Sequence, residues 1–321
     1  MPGNNIKVSV CIPVYGVEKY IERCARSLFE QTMTEGIEFI FVNDCTKDKS
    51  IEILEKVLGE YPHRKDQVKI IHHKSNLGAA TARITAIASC TGDYVIHCDS
   101  DDWVEADLYE KMYNRAVDTN ADMVYCDYII DGVNKSKKVK FRTITSKEKF
   151  FFYMCANQCY VSSCNKLYTR NIARLNLTSA YTHIGMNEDF AYNILCFKEV
   201  NIISHLKGSY YHYFSNFEST SKKKWKRSHF ESILDVYKMI SNYVDNGFYA
   251  PKCKKAYEQV ILFLLLRHPE ITKKEEFLKY KKRFITSLLQ WTPMSLGRKI
   301  GLVLGMINDK IPLLLLKIKQ R

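Results

Sequence analysis

The chain opens with short apolar runs that alternate with segments of helical periodicity. Residues 7–14 and 38–42 are rich in apolar and β-branched side chains, which is the composition of buried parallel strands. Residues 17–31 and 50–58 carry apolar side chains at helical spacing. This alternation predicts a parallel sheet with helices on both faces, a fold in which ligands bind beyond the carboxyl ends of the strands.

The same alternation continues over the following segments. Further strands are predicted at residues 67–72, 93–98 and 122–128, with helices at residues 78–89 and 108–120. The fold class expected from the pattern is therefore α/β, with a mostly parallel twisted sheet flanked by helices.

Beyond residue 149 the pattern changes twice. Residues 149–221 are rich in aromatic side chains without a clear period, so we expect irregular structure there. The basic run at 221–227 marks a boundary in composition, and the sequence after it has helical spacing only. We interpret residues 1–221 as a catalytic domain and residues 222–321 as a basic helical C-terminal region.

The charge is unevenly divided between these two regions. The 321 residues carry a formal charge of +13. Residues 222–321 contain 22 Lys and Arg against 8 Asp and Glu, a surplus of 14, whereas residues 1–221 contain 26 against 27. An enzyme acting on nucleic acid would carry its basic residues around its site of chemistry, so we expect no nucleic-acid partner.

The last segment, residues 296–321, has apolar side chains at helical spacing with Lys and Arg among them. Its apolar stretches are interrupted by charge and by Pro312 and are shorter than the ~20 residues that span a bilayer. Two interpretations remain open: an amphipathic helix lying on an anionic membrane surface, or a packing helix with a basic rim.

The cysteine pattern and the N-terminus bear on location. The 11 cysteines are scattered without the regular framework of a disulfide-stapled secreted protein. The first apolar run ends at Pro13 and is too short for a signal peptide. We therefore expect a reduced cytoplasmic environment, with peripheral attachment to the inner face of the membrane.

The strongest chemical signal is an acidic strand end. The run Asp99, Ser100, Asp101, Asp102 and Trp103 directly follows the apolar strand YVIHC. Three carboxylates so close together repel one another, and a divalent cation or a cationic ligand is a natural reason to gather them. A solvated acidic turn that caps the next helix is the alternative.

Polar residues also follow two other predicted strands. Asp44 follows the second strand, where a carboxylate can accept from the N–H of a ligand. Asn76 and Gly78 follow the third strand, and Arg83 lies one turn into the next helix. Glycine permits close backbone approach to a ligand, and arginine pairs with phosphate. Each signal is weak alone, but together they place polar groups along one edge of the sheet.

The order of four motifs resembles a known family. The series VSVCIPVYG, IEFIFVNDCTKDKS, NLGAATARITAI and GDYVIHCDSDDW is similar to that of the inverting family 2 glycosyltransferases, which use nucleotide-diphospho-sugars and have the GT-A fold. The resemblance extends over roughly residues 6–220. One departure is visible at Cys45, which stands where the family often has glycine, so the turn after the second strand is expected to differ.

The resemblance implies a donor site at the strand ends. The residues that would bind the nucleotide sugar are Pro13, Tyr15, Asp44, Asn76, Gly78, Arg83, Asp99 and Ser100. Within this set the Tyr15 ring would lie beside the base, and Asp44 would accept from a base N–H, usually that of uracil.

The resemblance also implies a metal site and a sugar site. Asp99 and Asp101 match the family's D-x-D pair, which would hold Mn²⁺ or Mg²⁺ against the diphosphate. His212, in a late tyrosine-rich segment, is a further candidate for a metal or phosphate contact. Asp102 and Trp103 would face the transferred sugar or the acceptor.

An inverting transferase needs a base that takes the proton of the acceptor hydroxyl. The segment HIGMNEDF resembles the family's E-D motif at the start of a helix. Asp189 is then the expected base, Glu188 its neighbour or a sugar contact, and His183 an alternative base. Helix capping by the same carboxylates is the competing interpretation.

The expected function is metal-dependent transfer of a hexosyl group from a UDP-sugar to a hydroxyl of a glycan or lipid-linked glycan, in cell-surface polysaccharide biosynthesis. A sugar-phosphate nucleotidyltransferase is an alternative, but it needs a glycine-rich basic loop after the first strand, and CIPVYGVEKY has none. A basic membrane or nucleic-acid binding module without catalysis is a second alternative, and it leaves the acidic strand ends without a purpose.

Overall fold

The computed structural model describes residues 6–133, 135–156, 160–175, 177, 181–215, 225–268 and 271–287, with side chains described up to residue 282. The amphipathic segment expected at 296–321 lies outside the described residues.

The N-terminal half follows the alternation expected from the sequence. Its elements are β1 (Val8–Val14), α1 (Ile21–Phe29), β2 (Ile37–Asn43), α2 (Ser50–Gly59), a 3-10 helix (Pro62–Gln67), β3 (Val68–His72), α3 (Ala79–Ser89) and β4 (Tyr94–His97). The four strands are parallel and lie in the order β3-β2-β1-β4. Their carboxyl ends therefore meet along one edge of the sheet.

The burial of β1 explains why this part of the sheet is so regular. Val8, Val10, Ile12 and Val14 are fully buried in the main hydrophobic core. Pro13 lies beyond the last β1–β4 register pair, which joins Cys11 to His97, so its missing N–H removes no bond to β4.

The second half of the sheet is mixed. Its elements are β5 (Trp103–Val104), α4 (Leu108–Thr119), β6 (Met123–Asp131), β7 (Ser136–Val139), α5 (Lys147–Ala156), β8 (Lys166–Thr169), α6 (Arg170–Leu175), α7 (Glu188–Phe197) and β9 (Ile203–Phe214). The strand order continues β4-β8-β6-β9-β5, with β7 paired to β6. The expected fold class is confirmed, with antiparallel strands added to the parallel part.

The expectation of irregular structure over residues 149–221 is wrong. This stretch contains α5, β8, α6, α7 and the 12-residue strand β9. The aromatic side chains hid the pattern because both faces of β9 are partly covered, which removes the polar alternation of a half-exposed strand. Its partner β6 is remote in sequence, so local periodicity does not reveal the pairing.

The pairing of β6 with β9 is parallel and irregular. The register shifts on either side of Asp127, and Gly208 in the opposite strand has φ +131°, a value that favours glycine. Beyond this bulge, β9 pairs antiparallel with β5, which sets Trp103 opposite His212. A residue of the acidic strand end thereby lies next to a residue more than a hundred positions later.

The chain divides into two compact units. The first comprises Met1–Lys147, Ser162–His183 and Leu195–Lys222, and it contains the sheet. The second comprises Glu148–Val161, Ile184–Ile194 and Lys223–Arg321. The division at 221/222 inferred from composition stays a prediction.

The described part of the C-terminal region is helical, as expected. The second unit contains α8 (Arg227–Asp245), α9 (Pro251–Arg267) and α10 (Lys274–Ser287). Within this unit the Phe151 and Tyr249 rings stack, Phe190 contacts Tyr257 edge-on, and Arg227 pairs with Glu276. Among the described helices, none combines the length and apolarity needed to span a bilayer.

Candidate active site

Asp44 lies directly after β2, and its carboxylate ties together two neighbouring strand ends. Its Oδ1 accepts from the N–H of Leu77, and its Oδ2 accepts from the N–H of Gly78, both at 2.8 Å. Oδ1 also lies 2.8 Å from Nδ1 of His73. Since the residue is only 2% exposed, this carboxylate is held in one orientation before any ligand arrives.

The loop after β3 leaves open space at Gly78, next to Asp44. Gly78 has φ +88°, and a Cβ built on it would meet no atom within 4 Å. Leu77 and Tyr15 are each 51% exposed, although both lie close to Asp44. The Leu77 N–H donates to the Asp44 carboxylate, and the carbonyl before Tyr15 accepts from the Asp44 N–H. Large apolar side chains exposed at a strand edge are typical walls of a ligand site. Asn76, in the same loop, is exposed.

The turn after β2 carries the departure noted at Cys45. This residue has φ +58°, in the left-handed region that glycine adopts without strain. The turn is closed by the N–H of Thr46, which donates to Oδ1 of Asn43 at 2.9 Å. Cys45 therefore adopts a backbone conformation that favours glycine, and its backbone carries the strain.

Asp99 opens the acidic strand end after β4, and three groups surround it. Arg83 Nη2, from α3, donates to its Oδ1 at 2.7 Å. The Cys164 thiol lies 3.3 Å from Asp99 Oδ2, and the backbone N–H of Asp99 donates to the Tyr211 hydroxyl at 3.1 Å. Within the ion pair the Arg83 side chain is 8% exposed and the Asp99 side chain 26% exposed, so solvent reaches the carboxylate. Ser100, the next residue, is 5% exposed.

Asp101 lies in the same turn, next to the negative charge of Asp99. Burial and the nearby charge of Asp99 raise its pKa to about 6. A divalent cation would relieve both effects. Carboxylate oxygens are hard ligands, which Mn²⁺ and Mg²⁺ prefer. Within the described ranges, no three His, Cys, Asp or Glu side chains are arranged to hold a metal by themselves. Two carboxylates are enough for an ion that takes its remaining ligands from substrate phosphates and water.

Asp102 points inward. It is fully buried, and its two oxygens accept from the Tyr211 hydroxyl at 2.5 Å and from the Phe214 N–H at 2.7 Å. Burial, with the charges of Asp101 and Asp99, raises its pKa. In this conformation the carboxylate holds the end of β9 against the acidic turn and presents no exposed oxygen to a sugar.

Trp103 forms the centre of a stack of three side chains. The His212 ring lies parallel to it at 4.8 Å between centroids, and the Arg23 guanidinium lies 3.7 Å from the ring centroid on the indole. Arg23 Nη2 also donates to the Asp101 carbonyl at 2.9 Å. Stacking and this hydrogen bond join α1 to the acidic turn.

His212 has carboxylates on both sides. Its Nδ1 is 2.6 Å from Asp131 Oδ2, and its Nε2 is 2.9 Å from Glu105 Oε1. A histidine binds a metal through a ring nitrogen with an available lone pair, and here both ring nitrogens of His212 lie against carboxylates. The arrangement favours a role for His212 in supporting Trp103.

The candidate base lies in the second unit. Glu188 and Asp189 begin α7, are half-buried, and follow Asn187, whose φ is +66°. The N-terminal end of a helix stabilises negative charge, so both carboxylates are favoured as ions there. Asn193 Nδ2 donates to the Asp189 carbonyl at 2.8 Å, within the first turns. His183 precedes this segment and is exposed.

Four residues around these strand ends were missed in the sequence: Arg23, His73, Cys164 and Tyr211. Nothing in the local sequence distinguishes His73 from the adjacent His72, or Tyr211 from the neighbouring tyrosines. Tyr211 differs from the other residues of the run YYHYF in being buried, and that burial results from the pairing of β9 with β5. The sequence alone therefore could not identify it as a partner of the acidic turn.

The sequence profile of Glycosyl transferase family 2 matches residues 9–175. The chain belongs to this family. It is 30% identical to EpsH of Bacillus subtilis (strain 168), a protein named as a glycosyltransferase, over 72% of this chain and 67% of that protein. EpsJ, an uncharacterized glycosyltransferase of the same strain, is 28% identical over 77% of this chain and 72% of its own length. The chain is a glycosyltransferase, as the motif order indicated.

Solved structures support the fold. S. aureus TarS 1–349 in complex with UDP-GlcNAc superposes with a TM-score of 0.62 and 19% identity, over 96% of this chain and 89% of that one. The mannosyltransferase PcManGT from Pyrobaculum calidifontis, in complex with GDP-Man and Mn²⁺, has a TM-score of 0.56 and 14% identity over the same shares. At these identities the likeness establishes the GT-A-type fold.

Proposed function

We propose that the protein is a metal-dependent inverting glycosyltransferase that takes its sugar from a UDP-sugar. The observation that carries the proposal is the acidic strand end after β4. Arg83 is paired with Asp99 there, and the pKa of Asp101 is raised by burial and by the charge of Asp99. Such a site gains most from a divalent cation bound together with a diphosphate.

The donor base is assigned to the strand end after β2. Asp44 offers a fixed carboxylate acceptor, and uracil presents an N–H donor between two carbonyl groups. Pro13, Tyr15, Asn76 and Gly78 complete this part of the donor site. The TarS structure contains UDP-GlcNAc, which supports a uridine nucleotide, while the GDP-Man of PcManGT is the alternative the assay must test.

Mn²⁺ or Mg²⁺ would be held by Asp101 and Asp99. The ion supplies charge that stabilises the leaving diphosphate. Arg83 adds a guanidinium next to Asp99, and Ser100 joins the two carboxylates in the same turn. For Asp102 and His212 we revise the expected contacts: both side chains are engaged with protein groups, so we assign them to holding β9 and Trp103 in place.

Asp189 is proposed as the base that accepts the proton of the acceptor hydroxyl. Its position in the first turn of α7 favours the ionised form that a base requires. The variant Asp189→Asn should bind UDP and Mn²⁺ as the parent does and lose transfer by a factor of about a thousand. Glu188→Gln is the matched control, and equal losses in both variants would remove the distinction between them.

The acceptor is proposed to be a glycan or lipid-linked glycan at the inner face of the membrane, where a cytoplasmic enzyme would attach peripherally. Between residues 225 and 282 the sequence has 12 Lys and Arg against 7 Asp and Glu, and further basic residues follow. Each is worth about 1 kcal/mol near an anionic surface.

Vesicle flotation tests the attachment. Full-length protein should float with vesicles rich in phosphatidylglycerol and stay behind with neutral vesicles. A variant with Lys310, Lys317 and Lys319 changed to Gln should float less. Unchanged flotation of this variant would place the membrane contact elsewhere.

The central experiment is a panel of UDP-, GDP-, dTDP- and CDP-sugars with Mn²⁺, assayed for release of the nucleoside diphosphate and for thermal stabilisation. We expect a UDP-sugar to stabilise the protein most and EDTA to abolish that effect. If no UDP-sugar binds, the proposed donor is wrong.

A further inference from the structure

His73 occupies a position in the donor site that the sequence did not indicate. It directly follows β3, and its side chain is 9% exposed beside an Asp44 side chain that is 3% exposed. Nδ1 lies 2.8 Å from Asp44 Oδ1, and Nε2 lies 2.9 Å from the Thr85 hydroxyl in α3. The imidazole therefore connects the end of β2 to the helix that carries Arg83.

The partners of the ring determine where its proton lies. An ionised carboxylate only accepts, so Nδ1 of His73 carries hydrogen and donates to Asp44. The Thr85 hydroxyl both donates and accepts, so it satisfies Nε2 in the neutral ring and in the imidazolium. Thr85 can thus hold the imidazole in place in either protonation state.

The carboxylate of Asp44 needs such a partner. Rotation about the terminal bond of an aspartate is soft, and hydrogen bonds must set its plane. His73 and the Leu77 N–H both bond Oδ1, whereas Oδ2 has the Gly78 N–H alone. Oδ2 is thus the oxygen with remaining capacity to accept from a ligand.

We propose that His73 is a positioning residue of the nucleobase pocket, which fixes the Asp44 carboxylate so that Oδ2 accepts the imide N–H of a uracil base. The inference rests on the proposed UDP-sugar function. It makes His73 a determinant of base selectivity, because a fixed acceptor meets a donor at N3 of uracil and another acceptor at N3 of cytosine.

Two substitutions separate the nitrogens of the ring. His73→Asn places an amide near the position of Nδ1 and can keep the bond to Asp44, whereas His73→Gln places it near Nε2 and loses that bond. The neighbouring exposed histidine provides the control His72→Asn. Affinities are measured by calorimetry with Mn²⁺ and, in turn, UDP, CDP and inorganic pyrophosphate, which has no base.

The expected result is a loss of UDP affinity in His73→Gln of about five- to tenfold, no larger than the loss expected when the acceptor Asp44 itself is changed. His73→Asn should stay within about threefold of the parent, and His72→Asn should match it. The preference for UDP over CDP should narrow in His73→Gln, while pyrophosphate affinity stays constant. Parallel loss of pyrophosphate affinity, or equal UDP affinity in Asn and Gln variants, would overturn the proposal.

Failure of the inference is distinguishable from failure of the proposed function. If the parent protein binds no UDP, the donor assignment itself is wrong. If the parent binds UDP and His73→Gln binds it equally well, only the role of His73 is wrong. Should His73→Gln fail to fold, Thr85→Val removes the far partner of the ring with little change in shape. The same selective loss of UDP affinity is then expected, and unchanged UDP affinity would overturn the role of His73.

Discussion

The two acidic strand ends of the first unit use the same residue type in opposite ways. After β2, Asp44 receives three hydrogen bonds from protein donors and is held in one orientation. After β4, Asp99, Asp101 and Asp102 share one turn, and burial together with the charge of Asp99 raises the pKa of Asp101 to about 6. The first end is a preformed hydrogen-bond acceptor, whereas the second end gathers negative charges that disfavour one another.

The difference shows that the surrounding groups decide which carboxylate has a structural role. Within the second end, Asp102 turns inward to Tyr211 and β9, and Asp99 pairs with Arg83. Asp101 stays close to the charge of Asp99, which together with burial raises its pKa, and we propose that an incoming cation binds there. This strand end thus contains a structural carboxylate, Asp102, beside the carboxylate proposed to bind the ion.

The largest effect is expected at Asp101. Asp101→Asn removes one metal ligand, so transfer should fall by about a thousandfold or more, as when charge stabilisation of a leaving group is lost. Asp107→Asn is the control, since Asp107 only pairs with Lys111 at the surface. Steady-state transfer rates and Mn²⁺-dependent UDP binding measure the effect. Equal behaviour of the two variants would mean that the strand end after β4 does not bind the ion.

The next effect concerns Tyr211, which bonds the inward-facing carboxylate of Asp102. Tyr211→Phe deletes the hydroxyl that bonds both Asp102 and the Asp99 N–H, leaving buried polar groups unpaired. The free energy of unfolding should fall by about 2 kcal/mol in urea denaturation. Tyr210→Phe, which alters a half-buried neighbour, should change it by less than about 0.5 kcal/mol. A stable Tyr211→Phe would show that Asp102 does not depend on this bond.

A smaller effect is expected at Asp44, at the strand end after β2. Asp44→Asn replaces one carboxylate oxygen by an NH₂ group, which cannot accept a hydrogen bond from the surrounding N–H groups. UDP affinity should fall about tenfold, which corresponds to about 1.4 kcal/mol, measured by calorimetry. Asp48→Asn, in the adjacent turn, serves as the comparison. If pyrophosphate binding falls by the same factor, Asp44 acts on the whole site and the contrast between the two ends disappears.

The smallest effect is a gain. Cys45→Gly relieves a left-handed backbone and should raise the free energy of unfolding by about 0.5–1 kcal/mol, since glycine's larger unfolded-state entropy offsets part of the relief. Cys45→Ala keeps the Cβ and separates backbone strain from loss of the thiol, so it should give no gain. A destabilised Cys45→Gly would show that the thiol contributes more than its contact with the Lys74 carbonyl suggests.

Much of the parallel half of the sheet was predictable, because its strands are continuous apolar runs separated by helices of clear period. Nearly all of β1–β4 and α1–α3 lie where the periodicity places them. The places of the acidic motif, Asp44 and Arg83 in the fold were also predictable, since the first two follow strands and Arg83 lies near the start of α3. Arg83 meets Asp99, and Asp44 lies at the same edge because the parallel strands end there.

The partners of those residues were not predictable. Tyr211 reaches Asp99 and Asp102 only because β9 lies between β6 and β5 and pairs with β6 through a bulge, and no local pattern encodes that register. His73 looked like an ordinary strand-end histidine until its contacts with Asp44 and Thr85 were known. In both cases the contact joins distant segments.

The sequence by itself determined the family, the parallel strands and which carboxylates stand at their ends, because motif order and hydrophobic period are local properties. Tertiary structure alone decided which carboxylate has its hydrogen bonds satisfied, which is fully buried and which has its pKa raised by a neighbouring charge. The reason is physical: the state of a carboxylate depends on the donors, charges and solvent within a few ångströms, and long-range strand pairing brings those groups together.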